Sequence, residues 1–160
     1  MDAVLREYVP ADRAWLVAAH GRLYARDEGF DDTFAPLVND ILAAFEAGHD
    51  PARETGWVAE VEGRSVGSIF CVDAGDGRAK LRLFLVDPVA RGQRLGARLL
   101  EACMGFAQAR GYRGMVLWTH AEHRAACALY QRAGWRCLRS EPVRSFGVDL
   151  TEQTWEIDFR

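Results

Sequence analysis

The sequence predicts an α/β (α+β) chain: a mixed, mostly antiparallel sheet flanked by helices, in the order β-αα-βββ-α-β-α-ββ. Three observations carry this. Two helix-periodic stretches lie before residue 50. Three extended runs follow one another at hairpin spacing between residues 56 and 86. Beyond them, helices alternate with strands until a final pair of strands.

Residues 3–9 read as a short strand stopped by Pro10. Asp12 is placed to cap a helix running to about Arg26, with Trp15, Leu16, Ala19 and Leu23 on one face. A second helix starts near Thr33. Phe34, Leu37, Val38, Ile41, Leu42 and Phe45 fall at i, i+3, i+4, i+7, i+8 and i+11, and Gly48 ends the run. Residues 56–62 and 64–72 form a hairpin about Gly63; after a turn over 73–78, residues 79–86 give the third strand, ended by Asp87-Pro88. A helix begins near Arg94 and runs to about Arg110, burying Leu95, Leu99, Leu100, Cys103 and Phe106. Residues 115–119 are a strand and 122–133 an alanine-rich helix closed by Gly134. Residues 135–140 and 153–159 are the last strands, the second alternating Trp155, Ile157 and Phe159 against Thr154, Glu156 and Asp158.

The chain has 160 residues, which predicts a single domain over 1–160 with enough core to need no disulfide or metal staple. Its net charge is −3, which argues against a nucleic-acid partner. Nineteen of its 20 basic side chains are arginine; the lone lysine is Lys80. No G-x-x-x-x-G-K-[ST] phosphate loop contains Lys80, and a Schiff-base mechanism would have Lys80 alone to use. No apolar run reaches the roughly 20 residues that span a bilayer, and residues 1–7 lack a signal-peptide profile. Cys71, Cys103, Cys127 and Cys137 form no C-x-x-C, so the expectation is free thiols in a reducing cytoplasm. His120 and His123 form an H-x-x-H with no acid or cysteine to complete a zinc set, so no metal is expected.

The chemistry concentrates where the third strand turns into a helix, at Val86-Asp87-Pro88-Val89-Ala90-Arg91-Gly92-Gln93-Arg94-Leu95-Gly96-Ala97. The first N–H groups of a helix have no intrahelical acceptors, and the helix dipole adds positive potential there. Gly92 permits close backbone approach and Gly96 a tight first turn, while Arg91, Arg94 and Arg98 add charge. Such a site suits a pyrophosphate or similar anion. A dinucleotide fold wants G-x-G-x-x-G with an acid about 20 residues later. Gly92 and Gly96 are spaced G-x-x-x-G, and residues 102–121 contain no acid.

Arg91-Gly92-Gln93-Arg94-Leu95-Gly96 resembles the acetyl-CoA signature Q/R-x-x-G-x-G/A of GCN5-related N-acetyltransferases (GNAT), with Arg94 where glycine is usual. Ala126-Cys127-Ala128-Leu129-Tyr130-Gln131-Arg132-Ala133-Gly134-Trp135 resembles a second element of that family, A-x-x-L-Y-x-x-x-G-F. More narrowly, residues 80–88, 144–150 and 153–156 resemble acetyltransferase domains fused behind MarR-type regulators, of which this chain would be a free-standing relative. The resemblance implies the GNAT fold and acetyl-CoA (coenzyme A) as cofactor. It implies that the backbone of Phe84, Leu85 and Val86 pairs with the pantetheine arm, and that Arg91, Gly92, Gln93, Arg94, Leu95, Gly96 and Ala97 hold the pyrophosphate. His123 is assigned to the same cofactor side. Tyr130 matches the family's general acid. The usual strand glutamate is missing, since Lys80-Leu81-Arg82 holds no acid; the candidate bases are Glu28, Glu60, Glu122 and His120, with His120 preferred as catalytic.

The acceptor is expected to be a primary amine of a small molecule or peptide. His20, Tyr24 and Glu28, at i, i+4 and i+8, would wall its pocket with Trp118 and the loop carrying Arg144 and Phe146; Arg82 or Arg144 would meet an anionic acceptor. No membrane partner is expected, and a homodimer is admitted. A non-catalytic acyl-CoA-binding sensor is the main alternative, and a protein-interaction module a second.

Overall fold

The computed structural model describes residues 2–90 and 92–160. Its elements follow the expected order: β1 (Val4–Glu7), α1 (Arg13–Glu28), α2 (Phe34–Gly48), β2 (Thr55–Val61), β3 (Arg64–Gly75), β4 (Arg78–Val86), α3 (Leu95–Ala109), β5 (Gly114–His120), α4 (Arg124–Arg132), β6 (Arg136–Ser145) and β7 (Val148–Asp158). They build one seven-stranded sheet in the order β1-β2-β3-β4-β5-β7-β6.

The two faces of the sheet bury different helices because side chains alternate along each strand. Ile69 and Cys71 on β3 join Leu99 and Cys103 of α3 and Met115 and Leu117 of β5 in the main core. Phe70, pointing the other way, packs with Leu16 of α1, Val38 and Leu42 of α2, and Val58 of β2. All four cysteines are free.

Two irregularities position the site. The β4–β5 pair is parallel, and its pairing runs Arg78↔Gly114, Ala79↔Met115, Lys80↔Val116 and then stops. The strands continue to Val86 and His120 without pairing to each other, so the sheet is split between their C-terminal halves. The second is a bulge in β4. Ser68 pairs with Leu85 and Phe70 with Arg82, leaving Leu83 and Phe84 opposite Ile69. Leu83 takes φ 51°, and the Ser68 hydroxyl donates to its carbonyl at 2.7 Å.

The structure corrects several local readings. Asp12 does not cap α1 through its side chain; its carboxylate accepts from the Arg6 guanidinium at 2.7 and 2.9 Å and from the Val9 N–H at 2.9 Å, closing the 3-10 turn Pro10–Asp12 that precedes α1. Nearby arginine outcompetes a helix N–H because the bond is charge-assisted. The 122–133 helix begins two residues later, at Arg124. β6 and β7 are longer than expected and meet at a tight turn over Phe146-Gly147. β6 is an edge strand whose side chains are mostly exposed, so no apolar alternation marks it. Among the described residues no helix is long and apolar enough to cross a membrane.

Candidate active site

The anion-binding turn is built by the end of β4 and the start of α3. The Asp87 N–H donates to Val66 O at 2.7 Å, and its carboxylate accepts from the Val89 N–H at 3.1 Å, which turns the chain out of the sheet. Arg91 lies outside the described residues. Gly92 takes φ 92°, open to glycine at little cost. The Arg98 N–H donates to Arg94 O at 3.0 Å, so the N–H groups of Leu95, Gly96 and Ala97 precede the helical ladder. They border a groove of about 370 Å³ between α3 and α4. At Gly96 a Cβ would stand 2.8 Å from Leu129 Cδ1, so any larger residue would have to push the Leu129 side chain aside. His123, Ala126 and Leu129 form the opposite wall, with Phe84 and Val86 as floor. Gln93 keeps a buried side-chain oxygen without a hydrogen-bond partner. Free helix N–H groups, a glycine cradle and an apolar trough fit a pyrophosphate joined to a pantetheine arm.

The arginines there behave unequally. Arg98 reaches away from the groove to donate to Ala3 O at 2.8 Å. The Arg94 side chain is 79% exposed and 3.9 Å from Glu101, so its contribution to the groove is mainly backbone. Arg132 of α4, which sequence reasoning missed, lines the groove instead. Leu85 is buried with Ala19 and Leu23, leaving its backbone as the part available to a ligand.

A second cleft, of about 320 Å³, occupies the split between β4 and β5. It shares Phe84 and His123 with the groove, so the two cavities meet at the bulge of β4. Tyr130 is 3% exposed and lies at the junction. Burial pushes its phenol well above the ordinary value, keeping it protonated. His20 and Tyr24 stack at 6.0 Å, and Tyr24 sets its ring 6.4 Å from His120 and 5.7 Å from His123. The stripe read on α1 therefore faces the end of β5. Glu28 completes it, with Oε2 3.5 Å from His120 Nδ1.

His120 ends β5 and is 9% exposed, with both ring nitrogens lacking a hydrogen-bond partner. Burial lowers its pKa, opposed by the Glu122 carboxylate 3.7 Å away, so the imidazole is neutral near pH 7. Burial raises the Glu28 pKa, helped by Asp27 and Glu122. Glu60 is remote from this cluster, on β2 and 3.1 Å from Arg6. The His20 Nδ1–H donates to Leu16 O at 2.8 Å, leaving Nε2 buried without a partner.

On the acceptor side, Phe146 stacks on Phe30 at 4.8 Å and meets Phe34 edge-on at 4.9 Å. Its carbonyl accepts from the Asp31 N–H at 2.9 Å, tying the β6–β7 turn to the α1–α2 connection. Sequence reasoning assigned Phe34, Leu37 and Ile41 to the core stripe of α2. The structure buries Val38 and Leu42 there and turns the other three toward the cleft. A stripe six positions wide was the available signal. Trp118 is 55% exposed and carries Lys80 Nζ 3.6 Å above its ring. Arg82 lines the cleft half-buried. Arg144 does not: its guanidinium is held by Asp149 at 3.1 Å and Gly147 O at 2.9 Å, across its own hairpin. Among the described residues no group of three or more potential ligands is arranged for a metal ion.

The model of the acetyltransferase (GNAT) family matches residues 13–135. The chain belongs to that family. This GNAT chain is 31% identical over 144 residues to a probable N-acetyltransferase, camello, of Xenopus tropicalis, covering 88% of this chain and 64% of the relative. It is 32% identical over 112 residues to an uncharacterised N-acetyltransferase of Methanocaldococcus jannaschii, covering 70% of this chain and 41% of that one. The chain thus spans less than two thirds of the length of these curated relatives. Its fold matches an acetyltransferase from Streptococcus agalactiae with TM-score 0.80 at 23% identity, over 99% of both chains. It also matches a phosphinothricin acetyltransferase from Sinorhizobium meliloti, solved in complex with acetyl-CoA, with TM-score 0.79 at 20% identity over 99% and 89%.

Proposed function

We propose that this GNAT protein transfers the acetyl group of acetyl-CoA directly to a primary amine. The observation that carries the reading is the junction of the two cavities at Phe84 and His123, with buried, neutral His120 on one side and buried, protonated Tyr130 on the other. Bound acetyl-CoA supplies the thioester whose acetyl carbon is attacked. The N–H groups of Leu95, Gly96 and Ala97 bind its pyrophosphate end. The bulge at Leu83 leaves β4 backbone groups at Phe84 unmatched by β3, available to a thioester oxygen as negative charge develops on it.

An alkylamine has a pKa of about 10.4, so about one molecule in 10³ is neutral at pH 7. His120 accepts the proton that the attacking nitrogen sheds, and Glu28 stands beside the imidazole to favour the cation it becomes. The Tyr130 hydroxyl donates a hydrogen bond that strengthens as the leaving sulfur gains charge. The free cysteines support a reducing compartment. The segments 80–88, 144–150 and 153–156 support a narrower kinship with the acetyltransferase domains of MarR fusions.

The test is a melting curve with acetyl-CoA, followed by thiol release over a panel of amines with products weighed. Ligand at about 100 times Kd stabilises by about 2.7 kcal/mol, roughly 5–10 °C for a domain of this size. No shift rules the reading out. The strand position left without an acid, at Lys80-Leu81-Arg82, favours one rival, a non-catalytic acyl-CoA sensor. A shift without thiol release decides for that rival.

A further inference from the structure

The acceptor cleft is charged at one end and aromatic along one wall, and this polarity points to a substrate class. Lys80 and Arg82 are alternate residues of β4, so both project to the same side, into the cleft. Both are half-buried. Arginines elsewhere in the chain hold carboxylates: Arg6 with Asp12, Arg13 with Glu46, Arg78 with Asp158 and Arg144 with Asp149. Lys80 and Arg82 form no ion pair with any described carboxylate. Instead each sits in the other's repulsive field, and burial followed by Arg82 holds Lys80 down to about 8. Taking cations out of water without a counter-ion is unfavourable, so two of them side by side in an open cavity call for an anion that arrives from outside. Lys80 is fixed in place by the Trp118 ring beneath its Nζ.

Carboxylates gather instead about its other end, where Glu152 lines the cleft. Glu152 pairs with His120 across β5 and β7, and Glu28 and Glu122 flank the imidazole. His120 lies four residues along β5 from Val116, the partner of Lys80, or about 13 Å at 3.3 Å per residue. Between the two ends Phe30, Phe34 and Phe146 present an aromatic wall continued by Leu37 and Ile41.

We propose that the acceptor is an amino acid whose carboxylate and amine lie at opposite ends of an apolar, aromatic-sized body, the carboxylate held by Lys80 and Arg82 while the amine faces His120. The amine half of this statement rests on the acetyl-transfer reading; the carboxylate half does not. A bidentate guanidinium on a carboxylate, backed by an ammonium, gives a charge-assisted contact that a neutral analogue forgoes.

The experiment has a binding arm and a turnover arm. In the first, 3-phenylpropanoate and 3-phenylpropanamide are titrated calorimetrically into the wild type, Arg82→Gln and Lys80→Gln, with far-UV circular dichroism confirming that each variant is folded. The acid is expected to bind the wild type roughly tenfold or more tightly than the amide, and each variant to lose most of that preference. Equal affinities in the wild type, or a preference that survives both substitutions, overturn the proposal. In the second arm, 4-(aminomethyl)benzoate is compared with benzylamine by thiol release. The acid is expected to exceed its decarboxylated counterpart about tenfold in kcat/KM. Turnover of benzylamine with no preference for the acid overturns the substrate class while leaving acetyl transfer intact. A protein that prefers the acid in calorimetry yet gains no stability from acetyl-CoA overturns acetyl transfer and retains the carboxylate site.

Discussion

His120 Nδ1 lies 3.5 Å from Glu28 Oε2, joining the end of β5 to the last residue of α1 across the mouth of the cleft. Both side chains are largely withdrawn from solvent. The pair brings an imidazole and a carboxylate to one point without the strand glutamate that the family usually carries, because β5 and α1 converge where β4 and β5 separate.

Replacing His120 tests the role of proton acceptor proposed for it. His120→Asn is expected to lower kcat about 10²–10⁴-fold, the range of a lost general base. In the wild type, burial holds the imidazole below its ordinary 6.5. The neutral base therefore persists below that value, and kcat stays level until the pH falls through the lowered pKa. Glu122 favours the imidazolium, so Glu122→Gln moves the acid limb to still lower pH. A profile that does not respond to Glu122→Gln removes His120 from the titrating role.

Tyr130→Phe deletes one hydroxyl from a ring packed near Phe84, Trp135 and Trp155, which remain to hold its shape. If that hydroxyl supports the leaving sulfur, kcat falls about 10–100-fold, the worth of a hydrogen bond to a charged group. Affinity for acetyl-CoA, proposed above to rest on the start of α3, is expected to change little. Stopped assays with saturating acceptor separate the two, and an unaltered kcat excludes the role.

The order of elements was legible because each carries its own period, down to the alternation of β7. The packing of Gly96 against Leu129 was also legible in outline, since a glycine in a first helical turn announces a close neighbour. Partners distant in sequence were not. Arg98 reads as a groove cation until the fold brings the Ala3 carbonyl to it, and Arg144 as a cleft cation until its hairpin closes on Asp149. The bulge at Leu83 depends on the register with β3, which no local pattern encodes. Lys80 reads as a solitary lysine until the parallel pairing of β4 and β5 sets it over Trp118.

Arg94 stands where the family motif has glycine, and its backbone explains the preference. It takes φ 54° and ψ 28°, the left-handed region in which a Cβ is strained. Its side chain is exposed and offers only a long 3.9 Å approach to Glu101 in return. Arg94→Gly is therefore expected to raise stability by about 1 kcal/mol and to leave the α3 N–H groups able to bind acetyl-CoA. Urea unfolding checks the first, and the ligand-induced rise in Tm the second. A destabilised variant would mean that the guanidinium holds the turn together.

His20 links the cleft to acid stability. It is 2% exposed and burial lowers its pKa to about 4, partly offset by the bond to Leu16 O. The unfolded chain takes up a proton on this residue near pH 6.5, whereas the folded one resists until about pH 4. Stability from the neutral buried ring is therefore complete above 6.5 and is lost as the pH falls from 6.5 to 4, by about 3 kcal/mol at most. His20→Gln keeps a polar side chain of similar size and removes the titration. Urea unfolding of both proteins at pH 7, 5.5 and 4.5 should show the wild type losing its advantage across that window. Parallel declines in the two proteins would assign the acid sensitivity to other groups.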